Sequence, residues 1–170
     1  MGSVASLQIL AHVLLPLMWV LEAQRYLTLE KVLFALDIED GWPPVGAEGV
    51  WVENIEGNYQ LKNIPFFIPN LALDDVFQAE LDPVNEHIFE YEIIKRSGNS
   101  VAWLMNNQRI DIGDFIQKIQ SLGCEYESFP KFSLGSINVP ESVDIDQLDK
   151  VIDEYEALGL DFAFPVWHFE

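Results

Sequence analysis

The sequence contains very little cysteine. Cys124 is the only cysteine among 170 residues, so the chain cannot form an internal disulfide. This usage is typical of proteins in a reducing compartment, and we expect a cytoplasmic protein. Nothing in the neighbouring sequence would lower the pKa of the thiol, so Cys124 is predicted to be a small buried side chain rather than a nucleophile.

Positive charge is also scarce. Lysine and arginine number 9 against 28 aspartate and glutamate residues, which gives a formal net charge of −19. A surface of this charge repels phosphate groups, so nucleic-acid binding is disfavoured. The same charge attracts a basic protein through steering and complementarity, although acidity alone also serves solubility. The charge therefore favours a basic protein as the partner.

Motifs of catalysis and metal binding are absent. The three histidines, His12, His87 and His168, show no H-x-x-x-H spacing, and one cysteine cannot make a C-x-x-C pair. Asp144-x-Asp146-x-x-Asp149 lacks the glycine and the closing glutamate of a calcium loop, and it falls within a helical pattern. The sequence contains no G-x-S-x-G elbow and no phosphate-binding glycine motif. We therefore predict no metal, no cofactor and no enzymatic activity.

A single long uncharged run, Val4–Leu21, lies near the start of the chain. Its length is at the lower limit for crossing a bilayer, and Gln8, His12 and Pro16 interrupt its apolar character. No lysine or arginine precedes it and no small-x-small cleavage site follows, so it makes a poor signal peptide. For residues 1–28 we predict an apolar helix that packs on the domain or on a partner, such as a second copy of the chain. Membrane association is the alternative.

Residues 29–98 consist of short alternating segments separated by turn residues, with the densest signals between Glu48 and Asp82. Strands are predicted at Leu29–Asp37, Val50–Val52, Tyr59–Leu61, Val76–Leu81 and Ile88–Ile94. In the last of these, Phe89, Tyr91 and Ile93 share one face. Asn63–Pro69 is extended, and its prolines keep it out of a central strand. Tight turns between short strands predict a small curled antiparallel sheet or a partial barrel.

The pattern changes in residues 99–170 to strands that alternate with helices. Apolar residues recur at helical spacing in Asp111–Leu122 and Asp144–Leu158, and Asp111 can cap the first helix. Strands are predicted at Val101–Met105, Glu125–Ser128, Leu134–Val139 and Phe162–Phe169. The order β-α-β-β-α-β is that of the ferredoxin-like split βαβ unit. We therefore predict an α+β protein whose two halves pack as one body.

Four stretches of the chain carry a family resemblance: GWPPVGAEGVWVE, GNYQLKNIPFFIPNLALDDVFQAELD, SGNSVAWL and LGCEYE. With them the chain resembles the bacterial family named domain of unknown function 4265, from about Lys31 to the C-terminus. The N-I-P-F-F segment, Asn63–Phe67, is the most specific part of this resemblance. The resemblance implies a shared fold and no particular reaction.

Acidity, size and the absence of catalytic motifs lead to one main hypothesis: an immunity protein, as in contact-dependent growth inhibition, that neutralises a basic toxin domain. A nuclease is the expected toxin class, because carboxylates can take the place of substrate phosphates in its basic cleft. The predicted partner-binding residues are Asp146, Asp149, Asp153, Glu154 and Glu156 on the second helix, Asp37, Glu39 and Asp40 as a second patch, and Trp42 as an apolar anchor.

Two other functions stay open. One is a small-molecule or peptide sensor, with an aromatic cleft between the two halves lined by Trp51, Phe67 and Trp103. The other is a hydrolase that uses acidic residues, which a bound metal or two convergent buried carboxylates in a cleft would favour. Trp42 and Phe66 stand next to prolines and are the aromatic residues expected to be exposed.

Overall fold

The structure is a computed structural model that describes residues 29–169. The predicted apolar helix of residues 1–28, with its packing and dimer contacts, lies outside this range. The first half contains six strands: β1 (Leu29–Ala35), β2 (Ala47–Ile55), β3 (Asn58–Leu61), β4 (Val76–Ala79), β5 (His87–Ile88) and β6 (Tyr91–Lys95). The second half contains β7 (Ser100–Met105), α1 (Gly113–Ser121), β8 (Glu125–Phe129), a 3-10 turn (Pro130–Phe132), β9 (Leu134–Val139), α2 (Ile145–Glu156) and β10 (Asp161–Val166).

The first sheet has the strand order β5-β1-β2-β3-β4-β6, and within residues 29–169 its one parallel pairing is that of β1 with β5. Strands β5 and β6 occupy opposite edges, although only Phe89 and Glu90 separate them in the chain. In a flat sheet the two edges would stand about 24 Å apart, whereas this connection spans at most about 11 Å. The sheet must therefore curl strongly, and it remains open because no ladder joins β5 with β6 among the described residues.

The predicted single strand Ile88–Ile94 is wrong, because Phe89 and Glu90 leave the sheet between β5 and β6. Tyr91 and Ile93 both pack on the core of the first sheet, so they share one face of the strand as predicted. Phe89 does not share that face, and 60% of its surface is exposed. The apolar alternation continues through the break, so the local sequence gives no sign that the chain changes from one edge of the sheet to the other.

The second sheet has the order β10-β7-β9-β8 and is antiparallel throughout its described strands. Both helices cover one face, where Leu104, Phe115, Ile137 and Leu148 belong to one core cluster. This is the ferredoxin-like order, and the predicted α+β fold is confirmed. Asp111 does not cap α1: Ile112 occupies the cap position, and Asp111 Oδ1 accepts from the Gly113 N–H instead.

The other face of the second sheet is covered by the segment that follows β3. Pro65 is buried there, and its carbonyl accepts hydrogen bonds from Trp103 Nε1 at 3.1 Å and from Ser136 Oγ at 2.7 Å. Ile64 joins Val101 in a small apolar cluster between the two halves. The segment thus connects the curled sheet to the ferredoxin-like sheet. No helix within residues 29–169 is long and apolar enough to cross a membrane.

Candidate functional site

A tight turn between β1 and β2 places Trp42 over the junction of the two halves. Glu39 and Trp42 exchange backbone hydrogen bonds of 2.8 and 2.9 Å around Asp40 and Gly41. Both central residues have positive φ, 50° and 81°, as a type I′ turn requires, and Asp-Gly is a favoured pair for it. The Trp42 ring meets Phe67 edge to face with centroids 5.5 Å apart, and 41% of Trp42 is exposed. Trp42 is therefore an exposed aromatic side chain, as predicted, and its role as an apolar anchor stays a prediction.

A cavity of about 560 Å³ opens beneath this turn, and we call it the acidic cavity. Its lining includes Asp37, Glu39, Asp40, Trp42, Phe67 and Trp103. The three carboxylates belong to exposed residues, and none has an ion-pair partner among residues 29–169. No described lysine or arginine lines the cavity. Aromatic walls and unpaired negative charge together suit a cationic group.

A second cavity, of about 270 Å³, adjoins the first at Trp42 and Trp103, which line both; we call it the apolar cavity. Its remaining lining residues are Phe66, Met105, Leu134, Gly135 and Ala163. No charged residue of the described chain lines it. Trp42 and Trp103 therefore line both a cavity with charged residues and one without them.

Two carboxylates fix the segment that carries the aromatic side chains, and we call Glu48 and Glu127 the carboxylate clamp. Glu48 on β2 accepts from the N–H groups of Phe66 and Phe67 at 2.7 and 2.8 Å. Glu127 on β8 accepts from the Ile64 N–H at 3.1 Å. Burial raises the pKa of both carboxyl groups, and this effect exceeds the lowering caused by the N–H donors.

The clamp and aromatic rings enclose a third cavity, of about 430 Å³, which we call the clamp cavity. The hydrolase hypothesis requires two convergent buried carboxylates in a cleft, whereas Glu48 is buried and Glu127 is only half-buried. In addition, each oxygen of Glu48 is already bonded to a backbone N–H group. A general acid or base needs an oxygen that can reach the substrate, so this geometry fits a positioning role better than proton transfer. No group of His, Cys, Asp and Glu within residues 29–169 is arranged to hold a metal ion.

The structure separates the two predicted acidic patches. The helix-face residues Asp146, Asp149, Asp153, Glu154 and Glu156 are all exposed on α2. Glu154 bonds to Lys118 at 3.0 Å, which leaves it partly neutralised. Helix α2 covers the face of the second sheet that contains Leu104, whereas Trp103 points to the opposite face and into the acidic cavity. One small partner surface therefore cannot contact both patches at once.

The predicted aromatic cleft is divided between cavities. Trp51 and Phe67 line the clamp cavity, while Phe67 and Trp103 line the acidic cavity. Phe67 is buried and contacts Trp42, Phe66, Phe129 and Phe132 through its ring. The three residues thus lie around one aromatic cluster without sharing a single cavity.

The carboxylate clamp was not among the residues predicted from the sequence. Glu48 shares the buried face of β2 with Val50 and Val52, so an acidic residue interrupts an alternating apolar pattern. That interruption is a usable signal, because a buried carboxylate needs hydrogen-bond partners. Glu127 offers no such signal, since its strand alternates acidic, polar and aromatic residues.

A family model for a domain of unknown function, DUF4265, matches residues 48–161. The chain belongs to the DUF4265 family. This membership confirms the resemblance found in the sequence. The matched DUF4265 region begins at Glu48 and includes both clamp carboxylates, whereas Asp37, Glu39, Asp40 and Trp42 precede it.

The structure is also similar to a crystal structure of a hypothetical protein from Neisseria gonorrhoeae. The two share 21% sequence identity over 83% of this chain and 98% of that chain, with a TM-score of 0.62. At this identity the similarity shows that the two chains share a fold and nothing more. No curated protein matches the sequence significantly. Neither the family nor the structural neighbour gives an indication of catalysis.

Proposed function

We propose that this DUF4265 protein is a non-catalytic immunity protein that binds a basic toxin domain and inserts a cationic side chain of that domain into its acidic cavity. One observation carries the proposal: Asp37, Glu39 and Asp40 ring a cavity whose walls include Trp42 and Trp103. Three acidic residues and two tryptophans thus line the same cavity.

Arginine is the side chain that such a cavity suits best. Its guanidinium group is planar, stacks on aromatic rings and bonds to carboxylates through two parallel N–H groups. The three carboxylates are free of internal ion pairs among the described residues, so binding does not have to break an existing one. Exposed Trp42 supplies an aromatic anchor of the kind that dominates many interfaces.

Neutralisation follows if the captured side chain belongs to the toxin's active cleft. A nuclease is the class that fits, because its cleft holds phosphate with lysine and arginine, and carboxylates compete for the same groups. The net charge of −19 would speed the encounter at low salt. We place this interaction in the cytoplasm of the producing cell, on the basis of the single cysteine.

The helix-face acids have a different part in this proposal. They are exposed on α2, and none of them lines any of the three cavities described above. Charges of this kind raise the association rate and its dependence on salt, while desolvated charges in a pocket control dissociation. We therefore propose that the helix-face charges steer the approaching toxin domain and that the acidic cavity anchors it.

Co-expression with the polypeptide encoded immediately upstream tests the proposal, with co-purification and rescue of growth as the two readouts. The key variant is Asp37→Asn/Glu39→Gln/Asp40→Asn, and its matched control is Asp146→Asn/Asp149→Asn/Asp153→Asn, which removes the same charge. The cavity variant should weaken binding at least about thirtyfold and abolish protection, whereas the control should mainly slow association. Equal effects of both variants, or no complex with the wild type, would contradict the proposal.

A sensor function is the second candidate, and the clamp cavity favours it. Trp51 and Phe67 line this cavity together with the clamp carboxylates, and its volume of about 430 Å³ lies within the range of small-molecule sites. A sensor would be stabilised against heat by a metabolite in the absence of any protein partner. Trp51→Ala should remove that stabilisation and leave binding of the basic polypeptide unchanged.

A further inference from the structure

The acidic cavity and the apolar cavity have two lining residues in common, Trp42 and Trp103, and a hydrogen bond fixes the Trp103 ring. Trp103 lines both cavities, and its Nε1 donates to the Pro65 carbonyl at 3.1 Å. Ser136 Oγ donates to the same carbonyl at 2.7 Å. A ring that is already fixed in the free protein loses little conformational entropy when a ligand binds beside it.

The two compartments differ sharply in the chemistry they offer. The acidic cavity presents Asp37, Glu39 and Asp40, whereas Met105 and Leu134 line the apolar cavity, which has no charged lining residue among those described. A charged side chain entering the apolar cavity would lose its hydration without a partner, and that cost is high. Each cavity therefore selects a different type of side chain.

The volume of the apolar cavity limits the size of the group that it can hold. Sites for whole small-molecule ligands have volumes of about 300–1,000 Å³. The apolar cavity, at about 270 Å³, lies at the lower limit of that range. It is therefore suited to one branched or linear aliphatic side chain, held on a segment that lies outside the cavity.

We infer that the two cavities bind two nearby side chains of one extended peptide segment in the partner. The acidic cavity would hold a basic side chain, and the apolar cavity an aliphatic one. This inference rests on the proposed function, whose partner it defines further. The segment would cross over Trp42, which is exposed and lines both cavities. Charge complementarity fixes the orientation of the bound segment, because only the acidic cavity accepts a cation.

Synthetic peptides of the form Arg-(Gly)n-Leu, with zero to three glycines between the two residues and both ends blocked, test the inference by calorimetric titration. One spacing should bind at least about tenfold more tightly than the same peptide with alanine in place of leucine. Ala163→Leu, which fills the apolar cavity from its own wall, should remove the advantage of leucine and retain the advantage of arginine. Asp37→Asn/Asp40→Asn should do the reverse.

The outcomes separate this inference from the proposed function. If arginine matters and leucine makes no difference at any spacing, the two-cavity inference is overturned and the proposed function stands. If neither arginine nor the three carboxylates matter, the acidic cavity is not the binding site and both fail. The comparison of peptides on the wild-type protein decides the matter even if Ala163→Leu does not fold.

Discussion

The carboxylate of Glu48 accepts a hydrogen bond of 2.8 Å from the backbone N–H of Phe67, across the space between a strand and the segment packed on it. A second bond, from the Phe66 N–H, occupies the other carboxylate oxygen. These bonds fix the backbone of the residues whose rings line all three cavities at the junction. Glu48 therefore controls the geometry of the candidate site without being exposed to a ligand in the acidic cavity.

Replacing Glu48 by alanine should destabilise the protein markedly. The change leaves the N–H groups of Phe66 and Phe67 without their acceptor, at a cost of about 1–3 kcal/mol each. Unfolding in urea, followed by fluorescence, measures the loss. Glu80→Ala, at an exposed position after β4, is the control and should change the free energy of unfolding by less than about 0.5 kcal/mol.

The buried carboxyl group of Glu48 should give stability a definite pH dependence. Burial raises its pKa above the ordinary 4.5, so the folded protein holds a proton that the unfolded chain has lost. This contribution is fully present below pH 4.5 and is lost as the pH rises through the folded pKa. The stability of the wild type relative to Glu48→Gln should therefore fall as the pH rises from 4.5 towards neutrality. A difference that stays constant, or grows, across a pH series of urea titrations would show that the N–H donors dominate instead.

Asp75 and Arg96 form an ion pair at the loop that follows the aromatic segment. Asp75 is fully buried, and Arg96 donates to its Oδ2 at 2.9 Å. Arg96→Ala should cost about 3 kcal/mol, at the low end for a broken buried pair because a third of the arginine side chain is exposed. Differential scanning calorimetry should show this loss and almost none for Lys95→Ala. Equal melting temperatures for the two variants would refute the importance of the pair.

Phe67→Ala should damage both stability and the candidate site. The ring is buried, and deleting it costs about 3–5 kcal/mol through lost transfer free energy and the remaining cavity. Trp42 also loses its edge-to-face partner, so acrylamide should quench its fluorescence more strongly. A Trp42→Phe background identifies the contribution of this tryptophan. Val84→Ala, at a side chain that is 90% exposed and lines none of the three cavities, should leave both properties unchanged.

Cys124 should be chemically inert in the folded protein. It is 3% exposed, and burial raises the pKa of its thiol to about 12. A disulfide reagent at pH 8 should react at the rate at which the structure opens, and at once after denaturation. Immediate reaction of the native protein would place the thiol at the surface.

The ferredoxin-like half could be predicted from the sequence because its helices repeat apolar residues strongly. Phe115 and Ile119 are both buried in α1, and Leu148 and Ile152 are buried in α2, as their spacing requires. The curl of the first sheet could not be predicted. Nothing local marks Phe89 as the residue where the chain passes between the two sheet edges, since that change is set by the closure of the whole sheet.

The candidate site was predictable only in part. Asp40-Gly41 is a recognisable turn, and the proline that follows Trp42 marks it as exposed. That Asp37 and Trp103 line the same cavity depends on how the two sheets meet, which is a contact between residues far apart in sequence. Asp74 and Asp75 illustrate the same limit, because one of these neighbouring acids is half-buried and the other fully buried.

The segment joining the halves also has a consequence during synthesis on the ribosome. Phe66 and Phe67 leave the exit tunnel early, but the strands that cover their segment, β7 and β9, end at Val139. A nascent chain shorter than this presents an aromatic run with no surface to cover it, which is the kind of segment that chaperones bind. Residues 29–98 produced alone should therefore associate with one another, and translation pauses before residue 139 should increase chaperone capture.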